Sequence, residues 1–193
     1  MYELIILGLL MRWPAHGYRI AHIINDMIGP YAKLSNGRLY PLLAKLEAEG
    51  LIVACVSVES EGTSGEAKGE RQLRTYEITD DGRERFHRLM MDTTSNPGEY
   101  QKLFLQKAPL LYALKPAERL HLIDHYINYC QAHVLHLTAE AEDLASRDDT
   151  YMSQPQLEAI LDVMQHKAVE WRLELDWVKS LHEKELAQAQ VQN

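Results

Sequence analysis

Residues 35–52, SNGRLYPLLAKLEAEGLI, decide how this chain folds. Ser35 is a residue type that caps helix N-termini, and Leu39, Leu42, Leu43 and Leu46 fall at i, i+3, i+4 and i+7, so the segment predicts a helix with one apolar face. Gly50 supplies its C-terminal stop. Asn36, Arg38, Tyr40 and Lys45 are left pointing outward. Pro41 conflicts with the pattern, because past the first turn a proline removes a backbone donor and crowds the preceding turn. The helix is expected to continue, with a bent first turn.

Upstream, residues 2–12 are apolar on nearly every side through Leu4, Ile5, Ile6, Leu7, Leu9, Leu10 and Met11, which predicts a helix enclosed by its own domain or by a second copy of the chain. Leu4 and Leu7 are candidate dimer contacts on that basis. Trp13-Pro14 ends this helix, and His16-Gly17 opens another in which Ile20, Ile23, Ile24, Met27 and Ile28 repeat the helical spacing up to Gly29-Pro30. Downstream, residues 51–58 are rich in β-branched side chains and residues 73–78 alternate, so both read as strands. The charged, glycine-containing stretch 59–72 between them reads as a hairpin loop, and Thr79 can cap a fourth helix. Helix, helix, helix, strand, strand, helix is the order of a winged helix-turn-helix.

Beyond a break at residues 93–98 comes a short helix around residues 100–112, interrupted near Pro109. Leu120, Ile123, Ile127, Cys130, Val134, Leu137, Ala141 and Leu144 then alternate spacings of three and four, a heptad seam. After a polar loop at 147–155, Leu157, Leu161, Met164, Ala168, Trp171, Leu175 and Val178 do the same. Two antiparallel helices follow, each about 45 Å long and too thin to bury itself in one hairpin. Val169, Leu173, Trp177 and Leu181 form a second apolar stripe, displaced from the seam, that suits a second copy of the chain. The expected fold is therefore mainly α: a winged helix-turn-helix with a two-stranded wing at residues 1–92, followed by an all-α antiparallel helical arm for dimerisation at residues 93–193.

Composition narrows the class. At 193 residues, 46% hydrophobic and 25% charged, the chain has ordinary globular values, and no apolar run approaches the roughly 18 residues that span a bilayer. The first apolar run lacks a basic leader and a cleavage site, so a cytoplasmic protein is expected. Cys55 and Cys130 sit on apolar-patterned segments and read as small buried hydrophobes in a reducing compartment. The net charge of −8 opposes a nucleic-acid partner until its distribution is considered. Residues 1–90 carry 11 Lys+Arg against 12 Asp+Glu, whereas residues 91–193 carry 9 against 16, so the acid load lies in the arm. Residues 27–46 hold Lys33, Arg38 and Lys45 and no acid.

A helix-turn-helix reads DNA with exposed polar residues near the N-terminus of its second helix. Arg38 can donate two hydrogen bonds to guanine, Asn36 can pair with an adenine edge, and Ser35, Tyr40 and Lys45 can reach phosphates. The run His16-Gly17-Tyr18, then Leu39-Tyr40-Pro41-Leu42-Leu43, Leu46-Glu47, Glu49-Gly50-Leu51-Ile52 and Tyr76-Glu77-Ile78-Thr79-Asp80-Asp81-Gly82, resembles the PadR family of bacterial transcription regulators. The match is dense over about the first 85 residues, and the remainder looks like the longer arm of the subfamily that includes phenolic-acid-responsive repressors. The resemblance implies a homodimeric repressor on a palindromic operator, a recognition helix near residues 35–49 and a wing near 58–73. It also implies that Tyr18 and Tyr40 lie in or beside the DNA contact, and it accounts for Pro41. The wing departs from a simple basic pattern, holding Lys68, Arg71 and Arg74 but also Glu59, Glu61, Glu66 and Glu70.

Six of the nine histidines lie in the arm, but no Cys or acid completes a metal signature around them, and the heptad phase turns His121, His125 and His136 outward with Tyr129. By family analogy, a face with His125, Tyr126 and Tyr129 would suit a phenolic or carboxylate effector. No glycine-rich phosphate loop, nucleophile elbow or paired acid and base is present, so neither an enzyme nor a cofactor is expected. The partners expected are double-stranded DNA, a second copy of the chain and a small aromatic effector, with no membrane. A helical adaptor that binds only protein is the competing class; it would leave the winged helix without a task.

Overall fold

The computed structural model describes residues 2–28, 34–57, 73–146 and 153–191. They form two compact units, one of Met1–Thr94 with Leu105–Ala113 and one of Ser95–Phe104 with Leu114–Asn193.

The first unit runs α1 (Tyr2–Leu10), β1 (Ala15–His16), α2 (Gly17–Ile28), α3 (Asn36–Ala48), β2 (Ile52–Ser57), β3 (Leu73–Ile78) and α4 (Asp80–Met91). It is a winged helix with a three-stranded antiparallel sheet in the order β1-β3-β2. β1 is the strand the sequence did not disclose; Ala15 pairs with Tyr76 and His16 with Thr75. The His16 Nδ1 and Thr75 Oγ1 atoms lie 2.9 Å apart, which fastens the turn before α2 to the wing. α3 runs unbroken through Pro41 and buries Leu39, Leu43 and Leu46. Its end closes with the Gly50 N–H donating to Glu47 O and the Leu51 N–H to Leu46 O, a Schellman arrangement that places Gly50 at φ 72.

Thr79 joins three elements. Its hydroxyl donates to the Gly50 carbonyl at 2.6 Å and accepts the Gly82 N–H at 3.1 Å, while its own N–H donates to Leu51 O. A side chain at Gly82 would overlap the Leu51 carbonyl oxygen, so the first turn of α4 lies directly against the chain leaving α3.

The core of this unit gathers Ile5, Ile6 and Leu7 of α1 with Ile20, Ile24, Leu39, Leu43, Phe86 and Met90. Leu4 is 2% and Leu7 0% exposed within a single copy of the chain. Neither has surface to offer a second copy, which corrects the dimer role expected of them; helical spacing reports that a face is buried, not what buries it. The 3₁₀ turn Ala108–Ala113 completes the core: a Cβ on Gly8 would lie 2.6 Å from the Leu110 side chain. Lys107, the last residue of α5 (Tyr100–Lys107), is fully buried, and its ammonium donates to the Asp92 carbonyl just past the end of α4. Burial pulls its pKa down to about 8 against the raising effect of Asp92.

In the second unit, α6 (Pro116–Ser146) and α7 (Gln154–Val191) lie antiparallel. Arg119 pairs with Glu185 at 3.0 Å, Tyr126 donates to Glu174 at 2.6 Å, and Arg172 donates to the Thr138 hydroxyl at 3.4 Å, so the partners step in opposite directions along the two helices. α7 has 38 residues, longer than expected, because it starts at Gln154 and accommodates Pro155 in its first turn. Where the seam is built from Ala141, Ala145 and Ala168, a slot of about 300 Å³ opens between the helices. Cys130 is buried as expected, and burial pushes its thiol up to about 12. Cys55 is exposed, contrary to expectation, because alternation along β2 turns it outward with Val53. No helix among the described residues is long and apolar enough to cross a membrane.

Candidate nucleic-acid interface

α2 and α3 are held as a helix-turn-helix by contacts that the sequence carries locally. Asn25 on α2 accepts the Leu34 N–H at 2.6 Å and donates to the Leu34 carbonyl at 3.4 Å, fixing where the chain enters α3. At the other end of α2, Gly17 leaves room for Tyr40: a Cβ there would lie 3.0 Å from the ring. The glycine lets the Tyr40 ring lie directly against α2; a Cβ would push the ring outward.

This packing leaves one continuous polar surface. Ser35, Asn36, Arg38, Tyr40 and Lys45 are all exposed on α3, and Tyr18 stands out from the first turn of α2 at 75% exposure. Ser35 occupies the N-cap position in an extended conformation, but its side chain makes no capping hydrogen bond. Tyr18 and His22 of α2, with Ser35 and Asn36, line a hollow of about 460 Å³ between the helices. The Arg38 guanidinium lies 5.9 Å from the centre of the Tyr2 ring.

Two of the expected cations are engaged by the chain's own carboxylates. Lys45 pairs with Glu49 at 3.6 Å, and Arg74 on β3 pairs with Glu47 at 3.7 Å. Both pairs are exposed enough for water and salt to weaken them, so a phosphate can compete for either cation. Lys33, Lys68 and Arg71 lie outside the described residues.

The residues expected to serve dimerisation and effector binding fall in the second unit. Leu173 is 72% exposed, Trp177 and Val169 are exposed, and Leu181 is half-buried, so the second stripe is present on α7. His125 and Tyr129 do not face outward as the heptad phase suggested. They join an aromatic cluster in which Tyr100 meets His125 at 4.9 Å and Tyr129 at 5.3 Å, and His133 stacks on Trp171 at 4.1 Å. The seam rule failed there because Tyr100 covers the opposite side of α6, a contact no periodicity within α6 encodes. The Tyr129 hydroxyl donates to Pro97 O at 2.8 Å. Tyr126 is fully buried, stacks on Phe104 at 3.8 Å and donates a hydrogen bond to Glu174, and burial holds its pKa well above the phenol range.

Residues 6–88 match the model of the transcriptional regulator PadR-like family. A curated relative, the negative transcriptional regulator PadR of Bacillus subtilis (strain 168), is 28% identical over 151 residues, spanning 78% of this chain and 79% of the relative. Among solved structures, Bacillus subtilis PadR in complex with operator DNA is 20% identical, with 95% of this chain and 98% of that one covered and a TM-score of 0.42. The same protein in complex with p-coumaric acid is 22% identical, with coverage of 95% and 97% and a TM-score of 0.37. The PadR-like regulator BC1756 from Bacillus cereus is 23% identical, with coverage of 97% and 99% and a TM-score of 0.37. Helix order and motif spacing coincide with the family match over residues 6–88, and this segment of the chain is similar to the PadR-like family of transcriptional regulators.

Proposed function

We propose that this regulator is a repressor that binds a palindromic operator as a homodimer through α3 and releases it when a small phenolic or aromatic carboxylate ligand binds the helical arm. The observation that carries the DNA reading is the exposed run Ser35, Asn36, Arg38, Tyr40 and Lys45, presented on a helix whose opposite face is locked into the core by Leu39, Leu43 and Leu46. Arg38 reads a guanine edge; Asn36 reads an adenine; Ser35, Tyr18, Tyr40 and Lys45 position the backbone, with Lys33, Lys68, Arg71 and Arg74 adding charge from the flanks. Sign of regulation and phenolic response are drawn from the resemblance to the phenolic-acid-responsive repressors and from the curated relative's name.

The exposed Val169, Leu173 and Trp177 support a self-association surface on α7, with Leu181 at its edge. For the effector, the half-buried rings of His125 and Tyr129 offer stacking and hydrogen-bonding partners, while Tyr126 contributes by holding Glu174 in place. The test is a gel shift with the protein's own upstream region over a salt series. Binding at low salt that weakens in Arg38→Ala and Lys45→Ala is the expected result; binding indifferent to both removes α3 as the reader. Phenolic acids added to the complex should release DNA, and Tyr129→Phe together with His125→Ala should abolish that release.

A further inference from the structure

The α3 surface is thinly charged for a DNA reader, since Lys45 and Arg74 are already paired with carboxylates. Among the described residues, cations without a carboxylate partner stand instead where α1 gives way to α2. The Arg12 guanidinium lies 4.8 Å from the centre of the Trp13 ring and 5.1 Å from that of Tyr112, and the Arg19 guanidinium approaches the same Trp13 ring at 5.3 Å. Both arginines are exposed, and among the described residues neither has a carboxylate partner. Two guanidinium groups around one indole are within about a Debye length of each other and repel, and the ring quadrupole offsets only part of this.

The indole adds a second, independent mark. Trp13 Nε1 is buried and, among the described residues, has no hydrogen-bond partner, although Trp13 itself is only half-buried. A buried N–H without an acceptor costs about 1–3 kcal/mol, so an acceptor brought to this N–H would remove that cost. An acceptor that satisfies an N–H on a ring approached by two guanidinium groups is an anion with several oxygens. The place is continuous with the reading surface: Trp13 leads through β1 into α2, Gly17 lies under Tyr40 of α3, and Arg19 follows the exposed Tyr18 on the first turn of α2.

Resting on the DNA-binding function proposed above, we infer that Arg12, Trp13 and Arg19 form a phosphate subsite that grips the DNA backbone beside the recognition helix. The arginines supply charge and the Trp13 N–H supplies a neutral donor beside them. The Tyr112 ring, 5.1 Å from the Arg12 guanidinium, is a second aromatic partner that helps to hold this cation in place.

The test uses the full chain and a labelled duplex of arbitrary sequence, because a backbone contact persists without an operator, with affinity followed by fluorescence anisotropy over a potassium chloride series. Arg12→Ala and Arg19→Ala should each lower the salt slope by about 0.9, the value for one phosphate. Trp13→Phe keeps a ring but not the donor, and should weaken binding roughly threefold to tenfold with the slope unchanged. Arg88→Ala, an exposed cation on α4, should leave the slope alone. Arginine variants with the wild-type slope, a Trp13→Phe variant with wild-type affinity, or an equal drop in Arg88→Ala each overturn the subsite. Inorganic phosphate at matched ionic strength should displace more DNA than chloride from the wild-type chain, and no more than chloride from Arg12→Ala; equal displacement by the two anions from the wild-type chain overturns the subsite. If the wild-type chain fails to bind any duplex at low salt, the DNA-binding function falls first, and this subsite with it.

Discussion

Gly17→Ala should uncouple DNA affinity from stability. The added Cβ would lie 3.0 Å from one Tyr40 ring carbon and 3.3 Å from the next ring carbon and the hydroxyl. Carbon pairs prefer about 3.5–4.0 Å, so the ring must retreat by roughly 0.5–1 Å. Tyr40 is 47% exposed and free to swing outward, so the fold absorbs the change. Replacing a helical glycine also returns up to about 1 kcal/mol of backbone entropy, less in a first turn. The melting temperature should therefore stay level or rise slightly. A displaced Tyr40 would forfeit the backbone contact proposed for it, worth about 1 kcal/mol or a fivefold loss of affinity. The decisive measurement is a double-mutant cycle with Tyr40→Ala, read by anisotropy and thermal unfolding together. If Gly17 acts by seating Tyr40, adding Gly17→Ala to Tyr40→Ala costs no further affinity. Additive losses, or unchanged affinity in Gly17→Ala alone, would refute the reasoning.

Other substitutions probe the scaffold. Gly82→Ala sets a methyl group against the Leu51 carbonyl, a backbone atom that cannot swing aside, and should cost about 3 kcal/mol or more by urea unfolding. Lys107 predicts an unusual pH response. Between about 8 and 10.5 the folded chain has released the Lys107 proton while the unfolded chain retains it, so the unfolded state binds more protons and this residue's contribution to stability rises with pH across that window. Melting temperatures of wild type and Lys107→Met should differ most at neutral pH and converge toward pH 10; a constant difference would show that the buried ammonium is not titrating. Leu173→Asp places a charge on the α7 stripe and should shift sedimentation toward a monomer without lowering the helical circular dichroism signal.

What could be read beforehand was local. α3 spans Asn36–Ala48, β3 spans Leu73–Ile78, and Thr79 caps α4, because the periodicity, the cap and the stopping glycine of each element lie within that element. β1 could not be read, since two residues have no period and become a strand only by pairing with Tyr76 and Thr75, about 60 residues away. The same limit hid the placement of His125, which depends on Tyr100, and the identity of what buries Leu4 and Leu7. The Arg12, Trp13 and Arg19 cluster was missed for another reason. Its residues belong to three different local patterns, and the only hint in the sequence was a tryptophan with an arginine before it and a proline after it.

The Thr79 hydroxyl reaches the last turn beyond the recognition helix and the first turn of α4 at once, from the residue that ends the wing. Such a joint has no slack: the pieces that would enter a groove and lie along its edge are set at one angle by a pair of hydrogen bonds. If α3 reads DNA as proposed, a reader built this way cannot change its own angle to follow a distorted groove, and any adjustment falls to the double helix. Sequences that bend or twist easily at the flanks of the contacted bases would then bind better than stiff ones carrying the same bases.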